Sequence, residues 1–210
     1  MPLLFALLLA AAPLPDDAAR ARLDAMVAGR GYDAAQLNSR WANGAAAARD
    51  PDARALLWRV HTEQWALHAE EISEVETRAL LRRNSDWLKG VLARIGWFDI
   101  SRYGAEASQA AWLIVQHSDH DPGWQRQVLA ELAPRVTRGD MQRTYYAYLV
   151  DRVAVNAGRP QTYGTQGRCR GRGELELLPV VDRDNLDRRR AEMGLESVAE
   201  YTVRFCGRPA

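Results

Sequence analysis

Hydrophobic residues recur at steps of three and four along most of the chain, which is the spacing of an amphipathic helix. This pattern predicts a short helix over 16–29 and an Ala-rich helical stretch over 33–49. Asp50-Pro51 then supplies an N-cap residue and a first-turn proline for a long helix. A single seam follows that helix, and its members are Trp58, His61, Trp65, His68, Ile72 and Val75. The seam predicts a packed face on which aromatic rings alternate with hydrogen-bonded imidazoles.

Four more helices are predicted before Gly158. Asn84 or Ser85 is the expected N-cap of the first, whose apolar face consists of Trp87, Leu88, Val91, Leu92 and Ile95. The second helix covers 104–117, and its alanines allow another helix to approach closely. Asp121-Pro122 starts the third helix, and the fourth contains the sequence YLVDRVAVNAG.

The residue pattern changes beyond Gly158, where a glycine-rich segment precedes the alternating sequence ELELL. Alternation with a period of two indicates a half-exposed strand. The two segments together therefore predict a small hairpin or an ordered loop. A short helix is expected over 184–193, and Ser197 and Glu200 have the spacing of a capping box that opens a last helix.

These patterns predict a mainly α protein, a single compact helical domain with a small C-terminal β-hairpin or ordered loop. A chain of 210 residues with 47% hydrophobic composition can bury one sizeable core. The expected organisation is a signal peptide over 1–15, an N-terminal helical region over 16–83 and a motif-bearing region over 84–210. The last two regions are expected to pack as one domain.

The N-terminal sequence MPLLFALLLAAAP is apolar and is followed by Pro15-Asp16-Asp17. It is too short to span a bilayer as a helix but has the length of the core of a secretory signal. No cysteine stands directly after this apolar run, so a lipid anchor is not expected. We predict a secreted or periplasmic protein with no membrane span after signal removal. The alternative is a buried first helix of a cytosolic protein.

The chain contains two cysteines, Cys169 and Cys206. An even pair in an oxidising compartment is expected to form a disulfide, which would tie the segment around residue 165 to the C-terminal helix. Two buried free thiols are the alternative.

The formal net charge is +1, which argues against a general nucleic-acid binder. Almost all of the positive charge is arginine, since Lys89 is the only lysine. Seven arginines lie near the C-terminal loop and the helix that follows it: Arg159, Arg168, Arg170, Arg172, Arg188, Arg189 and Arg190. Such a group could attract an anionic ligand or could form an ordinary solvated face.

The sequence QHSDHD over 116–121 concentrates two histidines and two aspartates between two helices. Asp121 has a structural role as an N-cap, whereas His117 and Asp119 have no such explanation. His117, Asp119 and His120 are suitable ligand types for a metal, but their spacing matches no zinc signature. A pattern like that of metal phosphohydrolases can also be assembled from His61, His120-Asp121 and Asp151, but such residues are common. We therefore predict no metal and no other cofactor.

Two further segments could take part in a site. Asp151 lies on a helix between small residues, where a carboxylate is expected to be paired or to line a cavity. The segment GRPQTYGTQGRC, residues 158–169, combines amides and hydroxyls with glycines. It could form a wall that hydrogen-bonds a polar ligand, or its side chains could satisfy the backbone of an irregular loop.

Several motifs occur in a fixed order along the second half of the chain. They are Trp87-Leu88-Lys89, Gln116-His117-x-Asp119, Asp151-Arg152-Val153 and Gln161-x-Tyr163-Gly164-Thr165-Gln166. This string resembles that of a bacterial family catalogued only as a domain of unknown function, over about residues 84–206. The resemblance implies no activity, but it implies one shared location for His117, Asp119, Asp151, Arg152 and the polar residues of 161–166.

The favoured hypothesis is an exported hydrolase or group-transfer enzyme. His117 would be the general acid or base, and Asp119 or Asp151 would orient it. The expected ligand-binding residues are Gln116, Arg152, Gln161, Tyr163, Thr165 and Gln166. The alternative is a non-catalytic module that binds a peptide, a sugar or an anionic small molecule, and it expects a cleft without a contact between His117 and a carboxylate.

Overall fold

The structure is a computed structural model that describes residues 50–67 and 72–207. The described residues contain eight α-helices, namely α1 Pro51–Ala66, α2 Glu74–Ile95, α3 Ile100–Tyr103, α4 Ala105–Gln116, α5 Pro122–Arg138, α6 Arg143–Asn156, α7 Leu186–Glu192 and α8 Val198–Cys206. A 3-10 turn, Arg183–Asn185, precedes α7, and two strands, β1 Gly167–Gly171 and β2 Glu174–Leu177, follow α6. The predicted mainly helical fold with a small C-terminal hairpin is confirmed. The signal peptide, the helices predicted before residue 50, His68 and the side chain of Trp65 lie outside the described part of the chain.

The first two helices differ from their prediction. The long helix expected to continue through Val75 ends at Ala66, and α2 begins after Ser73. Ser73 forms a capping box, because its hydroxyl accepts from the Glu76 amide while the Glu76 carboxylate accepts from the Ser73 amide. The N-cap prediction for Asn84 or Ser85 is therefore wrong, since both are buried inside α2.

The buried face of α1 is also different from the predicted seam. Its buried residues are Ala53, Leu56, Leu57, Val60, Thr62, Glu63 and Ala66, most of which recur at helical spacing. Trp58 and His61 are only half-buried, and Val75 is exposed. Small and aliphatic side chains allow α1 to approach its neighbours more closely than two tryptophans would. The predicted seam residues Trp58 and His61 therefore lie outside the buried face of α1.

Helix α4 lies at the centre of the fold, where it contacts α1, α2, α3, α5 and α6. Eight of its twelve residues are buried, including Ala107, Ala110 and Ala111, so the predicted close approach of other helices is present. The helix ends at His117, and Asp121 caps α5 by accepting from the Trp124 amide at 3.0 Å. The corner between α4 and α5 therefore brings the QHSDHD sequence against several helices at once.

The hairpin pairs β1 and β2 in antiparallel register, with Cys169 opposite Leu175 and a bulge before Gly171. Cys169 is bonded to Cys206 at the end of α8, which confirms the predicted disulfide. Ser197 caps α8 through the predicted capping box with Glu200. No helix in the described residues combines the length and the apolar character needed to cross a bilayer.

Candidate functional site

His117 contacts a carboxylate, but neither of the two that the sequence suggested. Its Nδ1 lies 2.6 Å from Oε1 of Glu63 on α1. The Glu63 side chain is 1% exposed, whereas the His117 side chain is 20% exposed. No residue of the described ranges hydrogen-bonds His117 Nε2. The imidazole is thus held at one nitrogen by a buried carboxylate, and its other nitrogen is open.

The second Glu63 oxygen is held by Asn84, whose Nδ2 donates to Oε2 at 2.9 Å. Asn84 Oδ1 in turn accepts from the Arg59 guanidinium at 3.2 Å, and Arg59 lies over the Trp87 ring. A carboxylate can only accept hydrogen bonds, so His117 Nδ1 is the donor to Glu63 Oε1. The neutral imidazole then has its lone pair at Nε2.

Asp119 belongs to a different network, between α5, α6 and the loop before β1. Arg152 binds it with two parallel hydrogen bonds, Nε to Oδ1 at 3.0 Å and Nη2 to Oδ2 at 2.9 Å. The remaining Arg152 nitrogen donates to Gln166 Oε1 at 3.0 Å. Asn156 also donates to Asp119, at 2.8 Å. Residues 119, 152 and 166 therefore meet, whereas His117 forms no hydrogen bond with any of the three.

Asp151 is fully buried, and its only donors among the described residues are in the loop that follows α6. The amides of Thr162, Tyr163 and Thr165 donate to its carboxylate at 2.7–3.2 Å, and so does the Thr165 hydroxyl at 2.9 Å. Gly164 has a positive φ of 63°, which lets the backbone fold around the carboxylate. Asp151 therefore organises this loop and does not contact His117.

The carbonyls of the same loop accept hydrogen bonds from arginine and tyrosine side chains. Arg189 donates to Thr162, Arg190 donates to Tyr163 and Gly164, and the Tyr201 hydroxyl donates to Thr165, all at 2.8–3.0 Å. Arg190 is fully buried, and burial lowers the pKa of its guanidinium, while burial raises the pKa of Tyr201. The loop backbone is thus clamped between a buried anion and a buried cation.

Gln161 completes this arrangement. Its side-chain nitrogen donates to the carbonyls of Gln166 and Leu178, and its oxygen accepts from the Gln166 amide, at 2.8–2.9 Å. It is fully buried, and Thr165 is 3% exposed. The structure therefore turns Gln161 and Thr165 inward to satisfy backbone groups, while Tyr163 and Gln166 remain partly exposed.

His120 contacts Ser85 on α2, with its Nε2 3.0 Å from the hydroxyl oxygen. The hydroxyl already donates to the Arg82 carbonyl, so Nε2 is the donor to it. Burial and the nearby cations Arg82 and Lys89 lower the pKa of His120. Asp121 binds Lys89 at 2.9 Å, and its pKa is lowered by the Trp124 amide and by Lys89. These two residues join α5 to α2.

Most of the arginines considered for an anion site are already occupied. Arg170 and Arg168 both bind Glu176, and these bonds lower the pKa of Glu176 to about 2. Arg188 pairs with Glu192, and Arg189 pairs with Asp182. The described residues contain no group of three or more His, Cys, Asp or Glu side chains that could hold a metal ion.

Glu63 is absent from the predicted site residues, although a signal for it exists. It continues the buried stripe of α1 three residues after Val60 and three before Ala66, where an aliphatic residue is expected. A carboxylate at a core position needs a partner. That partner, His117, lies 54 residues away, and nothing local in the sequence connects the two.

The chain belongs to DUF6624, a family of unknown function, whose model matches residues 55–206. The membership inferred from the motif string is therefore confirmed. The match starts earlier than residue 84, so both members of the His117–Glu63 pair lie within it. A search of curated proteins and a search of solved structures found no match to the chain.

Proposed function

We propose that the protein is an exported hydrolase or group-transfer enzyme in which His117 is the general base and Glu63 holds it in position. The observation that carries this proposal is the 2.6 Å contact between His117 Nδ1 and a buried Glu63 carboxylate, with Nε2 open. A binding module would not need this contact, so it favours an enzyme over the alternative function.

The chemistry follows from the two ring nitrogens. In the neutral ring Nε2 can accept the proton of a water or hydroxyl nucleophile as that oxygen attacks an electrophilic centre. The Glu63 carboxylate stabilises the imidazolium that forms and keeps Nδ1 protonated. The proton then passes from Nε2 to the leaving group, which returns His117 to its starting state.

Asn84 is a positioning residue in this proposal. It is fully buried and binds the Glu63 oxygen that His117 does not use. Without this bond, Glu63 could rotate and the Nδ1 contact would lengthen. The partly exposed ligand-binding groups would be Arg152, Gln166 and Tyr163. Because Asp119 already neutralises Arg152, a polar or weakly anionic ligand fits this surface better than a highly charged one.

The catalytic proposal is tested with p-nitrophenyl esters, phosphates and glycosides as chromogenic substrates. We expect His117→Gln and Glu63→Gln to lower turnover of any accepted substrate by about 10²–10⁴-fold. His61→Gln, which changes a half-buried histidine outside the pair, is the matched control and is expected to keep full turnover. Turnover that survives His117→Gln would reject His117 as the base.

A second test needs no substrate. Diethyl pyrocarbonate acylates the unprotonated nitrogen of imidazoles, and mass spectrometry locates the modified residue. We expect His117 to react faster in the wild type than in Glu63→Gln or Asn84→Leu, because Glu63 directs the lone pair to Nε2. Equal rates in all three proteins would show that Glu63 does not control the imidazole.

Export is supported by the apolar N-terminal sequence and by the Cys169–Cys206 disulfide, since disulfides persist in oxidising compartments. The full chain is expressed in a Gram-negative host and recovered from periplasm and cytoplasm. We expect periplasmic protein that has lost about 15 residues by intact mass and has no thiol that reacts with an alkylating reagent. Full-length protein in the cytoplasm would contradict export.

A further inference from the structure

Two polar side chains on one face of α4 are buried without a hydrogen-bonding partner. Trp112 and Gln116 are each 7% exposed, and neither the Trp112 indole nitrogen nor the Gln116 amide oxygen has a partner within the described residues. The Gln116 amide nitrogen also donates to none of these residues. Residues four apart on a helix are neighbours, so the two groups lie on the same side of α4.

Leaving these groups unpaired is costly, and other buried amide and indole groups of the described residues have partners. A buried amide without hydrogen bonds loses its interactions with water and gains nothing in return. Gln125 and Gln161, both fully buried, have partners for their amides. The buried Trp97 indole donates to the Ser108 hydroxyl at 3.3 Å. Tyr103 Oη and Arg190 Nη2 are also buried without a partner within the described residues, but Trp112 and Gln116 place two such atoms on one face of one helix, which suggests a missing partner.

The surroundings limit what that partner can be. The Trp112 ring stacks on Tyr145 with ring centroids 4.6 Å apart. It also makes an edge contact with Tyr148, with ring centroids 6.2 Å apart. None of these groups is ionised at neutral pH. The cation that contacts them, Arg204, donates to the Tyr148 hydroxyl at 3.1 Å but is already paired with Glu196, so a charged ligand group would lack compensation. The buried unpaired atoms are one N–H donor and one carbonyl acceptor, and the Gln116 amide nitrogen is a second unpaired donor within the described residues. A complementary group is thus uncharged and has both an acceptor and a donor.

We propose that Trp112 and Gln116 bind an amide or hydroxyl group of the ligand, with the indole N–H donating to its oxygen and the Gln116 carbonyl accepting its proton. Gln116 immediately precedes His117, but side chains one position apart on a helix do not face each other, so this binding position stands independently of the His117 site. Describing that ligand as a substrate rests on the proposed function, but the binding position itself does not.

The test follows the indole N–H resonances by NMR, with Trp112 assigned from its absence in Trp112→Phe. Acetamide, glycerol and sodium acetate are titrated separately as amide, hydroxyl and anionic probes. We expect acetamide or glycerol to shift the Trp112 resonance in a saturable manner, while acetate does not. The buried and already paired Trp97 is the internal control, and its resonance should stay in place.

Gln116→Leu supplies the matched variant. It should abolish the shift of the Trp112 resonance and raise Tm by about 3 °C, because an unpaired buried amide is replaced by an apolar group of similar size. A Trp112 resonance that no uncharged probe moves, with cross-peaks to water, would overturn the proposal in favour of an ordered water. A stronger response to acetate would overturn the uncharged character of the site.

The same titration in His117→Gln separates this inference from catalysis. Probe binding that persists in a variant without turnover supports both proposals. Probe binding in a wild type that turns over no substrate supports the binding position and rejects the enzyme. Turnover without any response of Trp112 supports the enzyme and rejects the binding position.

Discussion

Asp151 shows how one residue can determine the conformation of a whole loop. Its carboxylate accepts from three backbone amides and one hydroxyl within four residues. An irregular loop has no ladder to satisfy its amides, so a buried anion replaces the ladder. The concentration of amides, hydroxyls and glycines in residues 158–169 is explained largely by this internal role.

Asp151→Asn tests this role. The new amide group would present a donor where backbone donors converge, so we expect the free energy of unfolding to fall by about 3–5 kcal/mol. The matched control is Asp119→Asn, whose carboxylate is 46% exposed and should cost less than about 1 kcal/mol. Urea denaturation measures both variants. Similar losses in the two would mean that Asp151 does not support the loop in this way.

His120 gives the protein a pH-dependent contact between α5 and α2. Because burial lowers its pKa below 6.5, the unfolded chain binds this proton more readily than the folded protein does. Stability from His120 is therefore present above pH 6.5 and is lost as pH falls through that value towards the folded pKa. The groups that face the ring are Ser85, Arg82, Lys89, Asp86 and Asp121.

His120→Gln keeps a donor for the Ser85 hydroxyl and removes the titration. We expect wild type and variant to differ little in free energy of unfolding at pH 8. Between pH 7 and pH 5 the wild type should lose stability more steeply, by at most about 1.4 kcal/mol per pH unit. Urea titrations at several pH values measure the slopes, and parallel slopes would contradict the argument.

The sequence predicts a residue's role well where the signal is local or where few pairings are possible. Asp121 as a cap depends on neighbours three residues away, and two cysteines allow only one intramolecular disulfide. The pairing of His117 with Glu63 depends on how α1 and α4 pack, which no spacing encodes. Sequence proximity therefore favoured the aspartates near His117, although the residue that binds it is the distant Glu63.

At the scale of elements, helix existence was easier to predict than helix ends. Asp50-Pro51, Asp121-Pro122 and Ser197 correctly mark three starts. Asn84 and Ser85 have the residue types of a cap but lie inside α2, where their side chains reach Glu63 and His120. Cap residue types can therefore also serve contacts between helices, and the capping box at Ser73 is the more specific signal.

The hairpin depends on close backbone approach at one glycine. A Cβ atom on Gly167 would lie 2.6 Å from the Glu176 carbonyl oxygen, whereas on Gly171 the nearest atom would be the flexible Glu174 carboxylate at 3.3 Å. We expect Gly167→Ala to lower the free energy of unfolding by about 1–3 kcal/mol. Gly171→Ala in the same strand should change it by less than about 0.5 kcal/mol. Urea denaturation measures both, and an equal effect would exclude the steric explanation.

At the scale of the whole molecule, the C-terminal region is held by covalent and polar links more than by a large apolar core. The hairpin has two short strands, and α8 contacts both. Arg190 and Tyr201 connect α7 and α8 to the loop that Asp151 organises, and Phe205 at the end of α8 is half-exposed. The disulfide joins the last turn of α8 to β1. Its loss should therefore affect the region that shapes the proposed ligand surface.

Reduction of the disulfide tests this view. The bond spans 37 residues, and the loop-closure entropy removed from the unfolded chain corresponds to about 4 kcal/mol. We expect dithiothreitol to lower the free energy of unfolding by up to that amount and to increase amide exchange first in 161–177 and α8. The double variant Cys169→Ala with Cys206→Ala should match the reduced protein and no longer respond to dithiothreitol. If α1, α2 and α4 exchanged as early as α8, the cross-link would stabilise the helical core directly, and the C-terminal region would not be the separately held part of the fold.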